Sequence, residues 1–464
     1  MKKGMNWRRV LALLLAALMV TSLAACSATQ KPASDPQTTE AESSAEKPTG
    51  ETQEEVTLTW FVEGLSDEEI DAWRTCAIEP FEAQNPGIKI EMSANKDYET
   101  ALKVQLASGT GADLVNLGGP SFIREYVSED GTDDKILDLT AYIDQAGLEN
   151  VVQTWALDTC KYNGKIYGIP NSYEGLGIYY NADMFNEYGY EIPRTFDELN
   201  AICADLKSRG IIPIAQGSSD QASVNEQILC EVLCAYAGRD TVKKALQGEI
   251  PWTDPVFNEA VTWLKEFWQN GYDNECKSHT ITGDDALSLF YSQRAAMYIT
   301  STWIINNFSK ECDFAYDMMY FPGKDESIAP SLMIGAGGVT AINAGTSHPD
   351  EAFKFLAFLF SDEQVAADLV TAGLQPLPRD IDRNRYGDLP QKSMDILDQL
   401  QDALANMETA GYCMWTFWPS ECREFFIENC VAVWLDDMTV DDYLAGAQAA
   451  FERDMAAGGG VNIP

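Results

Sequence analysis

Residues 56–117 spell strand, helix, strand, helix, strand in close succession, and few folds accommodate that order. Val56-Thr-Leu-Thr-Trp-Phe-Val62 alternates and is rich in β-branched and aromatic residues, the pattern of a strand. The helical stretch that follows carries Ile70, Trp73 and Phe81 and must stop before Asn85-Pro86-Gly87. Ile88–Met92 then reads as a second strand, residues around Tyr98–Ala107 as a helix halted at Gly109-Thr-Gly111, and Asp113–Leu117 as a third strand. Such a βαβαβ start predicts an α/β fold, with a parallel or mixed sheet covered by helices on both faces.

Farther along, cap chemistry marks the helices. Thr195-Phe-Asp-Glu198 is a capping box ahead of Leu199, Ile202 and Leu206, with Gly210 as the stop. Asp254-Pro255 gives an N-cap and a first-turn proline to a helix bearing Val261, Leu264 and Phe267, which ends at Gly271. Ser347-His-Pro-Asp350 and Ser361-Asp-Glu-Gln364 open two more helices, the second ended by Gly373. Short strands are expected at Gly177–Tyr180, Ile212–Ala215 and Ala296–Ile299, and Asn163-Gly164 predicts a type I′ turn within a small hairpin over Lys161–Pro170.

The N-terminus is built differently. Lys2, Lys3, Arg8 and Arg9 precede the uncharged stretch Val10–Ala25, which is too short to span a bilayer and reads as a secretory signal over residues 1–25. It ends in Leu23-Ala24-Ala25-Cys26, which resembles the bacterial lipobox and implies lipidation of Cys26; an ordinary signal peptide whose end happens to meet a cysteine is the alternative. Ser27–Glu55 has no Val, Ile, Leu, Met, Phe, Tyr or Trp, so it cannot bury apolar surface and is expected to be a disordered tether. The expected location is the extracytoplasmic face of the membrane, held by the lipid alone.

Charge excludes other classes. The chain has 72 acidic against 32 basic residues, a formal net charge of −40, which argues against nucleic acid and against binding of anionic lipid surfaces. Only two His occur, so zinc sites and His-based catalysis are not expected, nor is any cofactor. Cys230 and Cys234 lie one helical turn apart, too far for an unstrained disulfide, and read as buried thiols; the pairing of the remaining cysteines stays open.

Several motifs in order carry a resemblance. Tyr162-Asn-Gly-Lys-Ile-Tyr-Gly-Ile-Pro170, Leu176-Gly-Ile-Tyr-Tyr-Asn-Ala-Asp-Met-Phe185 and Pro193-Arg-Thr-Phe-Asp-Glu-Leu199 form the centre of it. Leu106-Ala-Ser-Gly-Thr-Gly-Ala-Asp-Leu-Val115, Phe290-Tyr-Ser-Gln-Arg-Ala-Ala-Met297 with Ser301-Thr-Trp303, and Gly337-Gly338 extend it from about Val56 to the end. Together they resemble family-1 extracellular solute-binding proteins of ATP-binding-cassette importers, in the sugar-binding branch. The resemblance implies a two-lobed periplasmic-binding-protein-like fold with a hinge, lobe 1 being residues 56–170 and 335–380 and lobe 2 residues 171–334 and 381–464. It also implies a carbohydrate ligand, a permease partner in the membrane, and a monomer.

A sugar site needs flat aromatic faces and paired polar groups. By position in the family pattern, Glu174 and Trp303 are ligand candidates, against a solvated hinge carboxylate and a core tryptophan. Tyr173 is a second candidate for stacking, or else an exposed hinge residue. Trp415 and Trp418 stand where relatives place an aromatic platform, and the sequence leaves open which of them faces ligand. Glu63 and Asn116 follow strands at the ends where α/β clefts bind ligands, unless they are turn residues. Asn116-Leu-Gly-Gly-Pro120 departs from the maltodextrin pattern and puts that specificity in doubt.

Two other readings remain. A glycoside hydrolase needs only a carboxylate pair, yet the chain has no GxSxG, HExxH or P-loop and no complete dinucleotide fingerprint. A binder of polyamines would also suit an acidic cleft.

Overall fold

The computed structural model describes residues 55–128, 130–220, 224–405, 410–460 and 462–463. The signal, Cys26 and all of the tether but Glu55 lie outside the described residues. Among those described, no helix is long and apolar enough to cross a membrane.

Two sheets with separate cores organise the body. The first takes the order β2 (Ile88–Asn95), β1 (Val56–Glu63), β3 (Leu114–Leu117), β12 (Val339–Ile342), β6 (Ile169–Pro170). Strands β2 and β3 both run parallel to β1, as the βαβαβ pattern requires, and β12 returns antiparallel. Alternation along β1 buries Leu58, Trp60 and Val62, and Trp60 meets Trp73 and Phe355 edge-on, with ring centroids 5.1 and 5.5 Å away. On the solvent side the Thr59 N–H and hydroxyl both donate to Asp113 at 2.8 Å, tying β1 to the residue that opens β3. The helical stretch after β1 is not uniform: a π-turn at Arg74–Ile78 separates Asp67–Trp73 from Glu79–Gln84.

The second sheet takes the order β13 (Ala410–Tyr412), β11 (Leu332–Ala336), β7 (Tyr173–Asn181), β9 (Ala295–Ser301), β8 (Ile212–Ala215), with β10 (Tyr316–Met319) also on β7. Residues of β7 alternate between two cores: Leu176 and Ile178 pack with the helix Val224–Ala237, while Tyr173 and Tyr179 pack on the other face with Ile396, Leu400 and Phe308. The expected caps are present. Thr195 forms its capping box with Glu198, and Asp254 caps the helix that Pro255 begins.

Three crossovers join the sheets. In the first, Pro170 still pairs with Val339 in one sheet and Tyr173 already pairs with Ala336 in the other. The second, from Ala336 to Val339, lies antiparallel against it: the Asn171 N–H donates to the Gly338 carbonyl at 2.8 Å, and the Gly337 N–H to Ser172 at 3.1 Å. The third is tied to the first by the Tyr173 N–H, which donates to the Pro376 carbonyl at 3.0 Å.

Some expected bounds move. The hairpin is confined to β4 (Lys161–Tyr162) and β5 (Lys165–Ile166), with Asn163 and Gly164 at φ 49° and 78°. Ile169–Pro170 instead joins the first sheet, because the chain passes so near β12 at Gly168 that a Cβ there would stand 2.4 Å from Val339. Gly335 and Ala336 belong to β11, so the second crossover begins after the expected boundary at 335. Ile381 and Tyr386 pack on the first core, beyond the expected boundary at 380.

Cys230 and Cys234 are buried thiols that accept the N–H groups of Met414 at 3.1 Å and Tyr412 at 3.5 Å, and none of the ten described cysteines is bridged. Beside them Glu231 is fully buried and neither carboxyl oxygen has a partner, so burial drives its pKa far up. The folded protein therefore keeps a proton that the unfolded chain releases above about pH 4.3, and stability falls as pH rises, by about 1.4 kcal/mol per unit for this group. Glu231→Leu is expected to raise the thermal midpoint at pH 7.5 and to gain progressively less as pH is lowered toward 4.5. A gain independent of pH would show that Glu231 is ionised in the native state.

Candidate functional site

The carboxyl ends of β1 and β3 in the first lobe face the start of β7 and the end of β9 in the second, and the chain's candidate residues distribute around that cleft. Glu174 sits on its floor. It is 8% exposed and on the opposite face of β7 from Tyr173, beside the Ser301 hydroxyl, which donates to it from the end of β9. The Trp415 indole lies close enough to favour its charge, but Nε1 meets no acceptor in full hydrogen-bonding geometry. Burial, with the Glu63 and Glu226 carboxylates adding to it, outweighs those two donors and raises the Glu174 carboxyl to about 7.

The two sides of the floor carry indoles. Gly175 N–H donates to Thr302 Oγ1 at 3.2 Å, which fixes the turn after β9 and brings Trp303 to the cleft, 43% exposed. Trp303 borders a crevice shared with Gly373, Gln375 and Pro376 of the third crossover. Trp415 is half-buried in the short helix Met414–Phe417, and the Ser121 hydroxyl of lobe 1 donates to its carbonyl at 3.3 Å. The two late tryptophans are placed differently. Trp418 is 0% exposed, stacked on Phe426 at 4.3 Å between ring centroids and edge-on to Trp252, so it is core and not platform.

Two further candidates turn away from the cleft. Tyr173 is buried against the helix Gln391–Ala405, where Gln401 hydrogen-bonds its hydroxyl. Strand alternation makes this unavoidable once Glu174 faces the cleft. Asn116 is 5% exposed, and its carbonyl oxygen accepts both Trp60 Nε1 at 3.0 Å and Thr340 Oγ1 at 3.1 Å. It knits β1, β3 and β12 together.

Glu63 does stand at the cleft, where the side chain remains open to water. The surrounding protein is nevertheless dense enough to raise its carboxyl, and Glu69 and Glu99 push it in the same direction. No sequence pattern pointed to its neighbour Tyr98, whose buried hydroxyl lies near Glu63, Tyr126 and Glu99 with no hydrogen-bond partner. Nor did it signal Gln375, whose Oε1 is also buried and unpartnered, or the pairing of Glu226 with Arg423. Arg423 Nε donates to both Glu226 oxygens at 2.9 and 3.0 Å and Nη2 adds a bond of 2.8 Å, across 197 residues of sequence. Buried polar atoms without partners are uncommon in folded proteins, so Tyr98 Oη, Gln375 Oε1 and Trp415 Nε1 are groups a polar ligand could satisfy.

At the edge of the cleft the lobes touch. Arg124 of lobe 1 donates to the Asp454 carbonyl at 2.8 Å at the end of the helix Val440–Ala456, and Ser420 donates to Glu125 at 3.0 Å. Among the described residues no group of three His, Cys, Asp or Glu side chains is placed to hold a metal ion.

The comparisons with known proteins agree with this architecture. The family described as bacterial extracellular solute-binding protein matches residues 77–384. The multiple sugar-binding protein of Streptococcus mutans serotype c is 26% identical over 314 residues, which cover 66% of this chain and 71% of that one. Among solved structures, a chitin oligosaccharide binding protein superimposes with a TM-score of 0.73 at 19% identity, covering 87% of this chain and 99% of the other. The substrate-binding protein Lmo0181 of Listeria monocytogenes, in complex with cycloalternan, gives 0.68 at 20% identity, covering 87% and 100%.

Proposed function

Because this chain belongs to the bacterial extracellular solute-binding protein family, we propose that it captures a carbohydrate, an oligosaccharide by preference, between its two lobes and delivers it to the permease of an ATP-binding-cassette importer. The observation that carries this reading is the pair of partly exposed indoles, Trp303 and Trp415, set about a buried carboxyl at the foot of the interlobe cleft. Indole faces suit the C–H faces of pyranose rings, and Glu174, Tyr98 and Gln375 supply polar atoms for hydroxyls. The sugar-binding names of the S. mutans relative and of the chitin-oligosaccharide binder support the same ligand class.

The crossovers Pro170–Tyr173, Ala336–Val339 and the stretch after Pro376 serve as the hinge. Ligand touches both lobes only when they are closed, and that difference in contact shifts the equilibrium toward closure. The protein acts as a monomer. No part of this role requires a catalytic step, and the hydrolase reading has no positive observation behind it.

Trp303→Ala and Trp415→Ala are expected to weaken oligosaccharide binding by about tenfold each, with little change in thermal midpoint. Trp418→Ala is expected instead to cost about 3–5 kcal/mol of stability. Titration calorimetry and thermal denaturation of the three variants separate these roles; unchanged affinity in both of the first two would remove the platform.

Anchoring is a separate part of the proposal. The lipobox-like Leu23-Ala-Ala-Cys26 places a lipid on Cys26, with the apolar-free tether holding the body off the membrane. Cys26→Ser is expected to move the protein from the membrane fraction to the medium, and continued retention would refute the lipid anchor.

A further inference from the structure

Hydrogen bonds also join the lobes at their edge, away from the crossovers, and they run to the carboxyl-terminal part of the chain. The 3-10 turn Pro120–Tyr126, which follows β3, carries Arg124 toward the second lobe. Its guanidinium donates to the Asp454 carbonyl at 2.8 Å and stands 3.9 Å from the Asp454 carboxylate; the two side chains are 18% and 3% exposed. Ser420 opens the helix Ser420–Trp434 and donates to Glu125 at 3.0 Å, and Asn462 Nδ2 donates to the Asp158 carbonyl at 3.0 Å.

The acceptor is prepared for a cation. Asp454 lies in the last turn of the helix Val440–Ala456, where carbonyls lack partners within the helix and the dipole favours positive charge. Its carboxylate accepts the Cys422 N–H at 2.9 Å, so Arg124 holds two long helices that are themselves tied together. Gly459 leaves room for the approach, since a Cβ there would stand 1.4 Å from Arg124 Nη1. Beside it Gly458, at φ 83°, makes space for the Tyr162 hydroxyl, 2.8 Å from where its Cβ would be. One glycine suffices to end a helix, and the run Gly458-Gly459-Gly460 goes beyond that need by fitting its backbone to side chains of lobe 1.

Rotation about the crossovers moves one lobe edge against the other, so bonds made at the edge belong to one arrangement of the lobes and favour it. A charge-assisted bond such as that of Arg124 is strong enough to change the ratio of two arrangements about tenfold. Its partners are Asp454 and the glycine run, not the groups of the cleft floor.

We propose that Arg124 is a positioning residue for ligand capture: it clasps the end of the last long helix over Gly459, draws the lobes together and so sets affinity without touching ligand. This rests on the reading of the crossovers as a hinge, and not on the chemical class of the ligand.

Small-angle X-ray scattering of the full-length protein without added ligand tests the clasp, with thermal denaturation beside it. Arg124→Ala is expected to enlarge the radius of gyration, the open arrangement gaining about tenfold over the closed one, with little change in thermal midpoint. The double variant Ser420→Ala, Asn462→Ala changes one half-buried and one exposed residue, and is expected to give a smaller enlargement; it carries the test if Arg124→Ala does not fold. Calorimetric titration with chitotriose, xylotriose and raffinose reads the consequence, and any of them that binds the wild type is expected to bind Arg124→Ala about tenfold more weakly. An unchanged radius in both forms overturns the inference, and so does unchanged affinity for a saccharide that binds. Failure of all three saccharides to bind would count against the carbohydrate reading alone, because the scattering decides the clasp without ligand.

Discussion

Two chain segments cross between the sheets side by side, and the remainder of the structure depends on the hydrogen bonds between them. Asn171 and Ser172 pair with Gly338 and Gly337 as a short antiparallel ladder that belongs to neither sheet, and on either side of it the same two segments become neighbouring strands of a lobe. This narrow ladder sets the register between the two sheets. It also fixes which way β7 presents its first side chains. With Tyr173 turned into the core, Glu174 has to face the cleft.

Around that carboxyl stand groups that pull its charge in opposite directions, with burial opposed by the Ser301 hydroxyl and the Trp415 indole. Burial raises Glu174 to about 7, near enough to neutrality that small changes in its surroundings decide its charge. Glu63 and Glu226 push it the same way, and the Trp415 indole beside it has a buried Nε1 with no partner. Nearby, Asn116 satisfies two donors, and Glu226 is clamped by a two-pronged arginine. Arg124 ties the edge of lobe 1 to the end of the last long helix.

Much of this was legible in the sequence because local chemistry writes it there. Strand alternation in Val56–Val62, the capping boxes and the Asn163-Gly164 turn each depend on residues a few positions apart, and each appears in the structure. What the sequence could not resolve depends on distant partners. Tyr173 and Glu174 are adjacent and both buried, and only the pairing of β7 with β11 decides which face each takes. Trp415 and Trp418 are equally aromatic, and it is Phe426 and Trp252 that claim the second. Asn116 stands at a strand end where ligands bind, but Thr340, 224 residues later, takes its carbonyl. The lobe boundary expected at 335 falls inside β11, because Gly335 and Ala336 pair with β7, far back in the chain.

The central claim is that the cleft between Glu174, Trp303 and Trp415 holds a carbohydrate in the cell. Native mass spectrometry of the full-length protein purified from its host, beside a Trp415→Ala form purified the same way, tests it most directly. The account predicts a co-purified mass corresponding to a short oligosaccharide on the wild type and its loss from the variant; a non-saccharide ligand, or a saccharide equally retained by both, would contradict it.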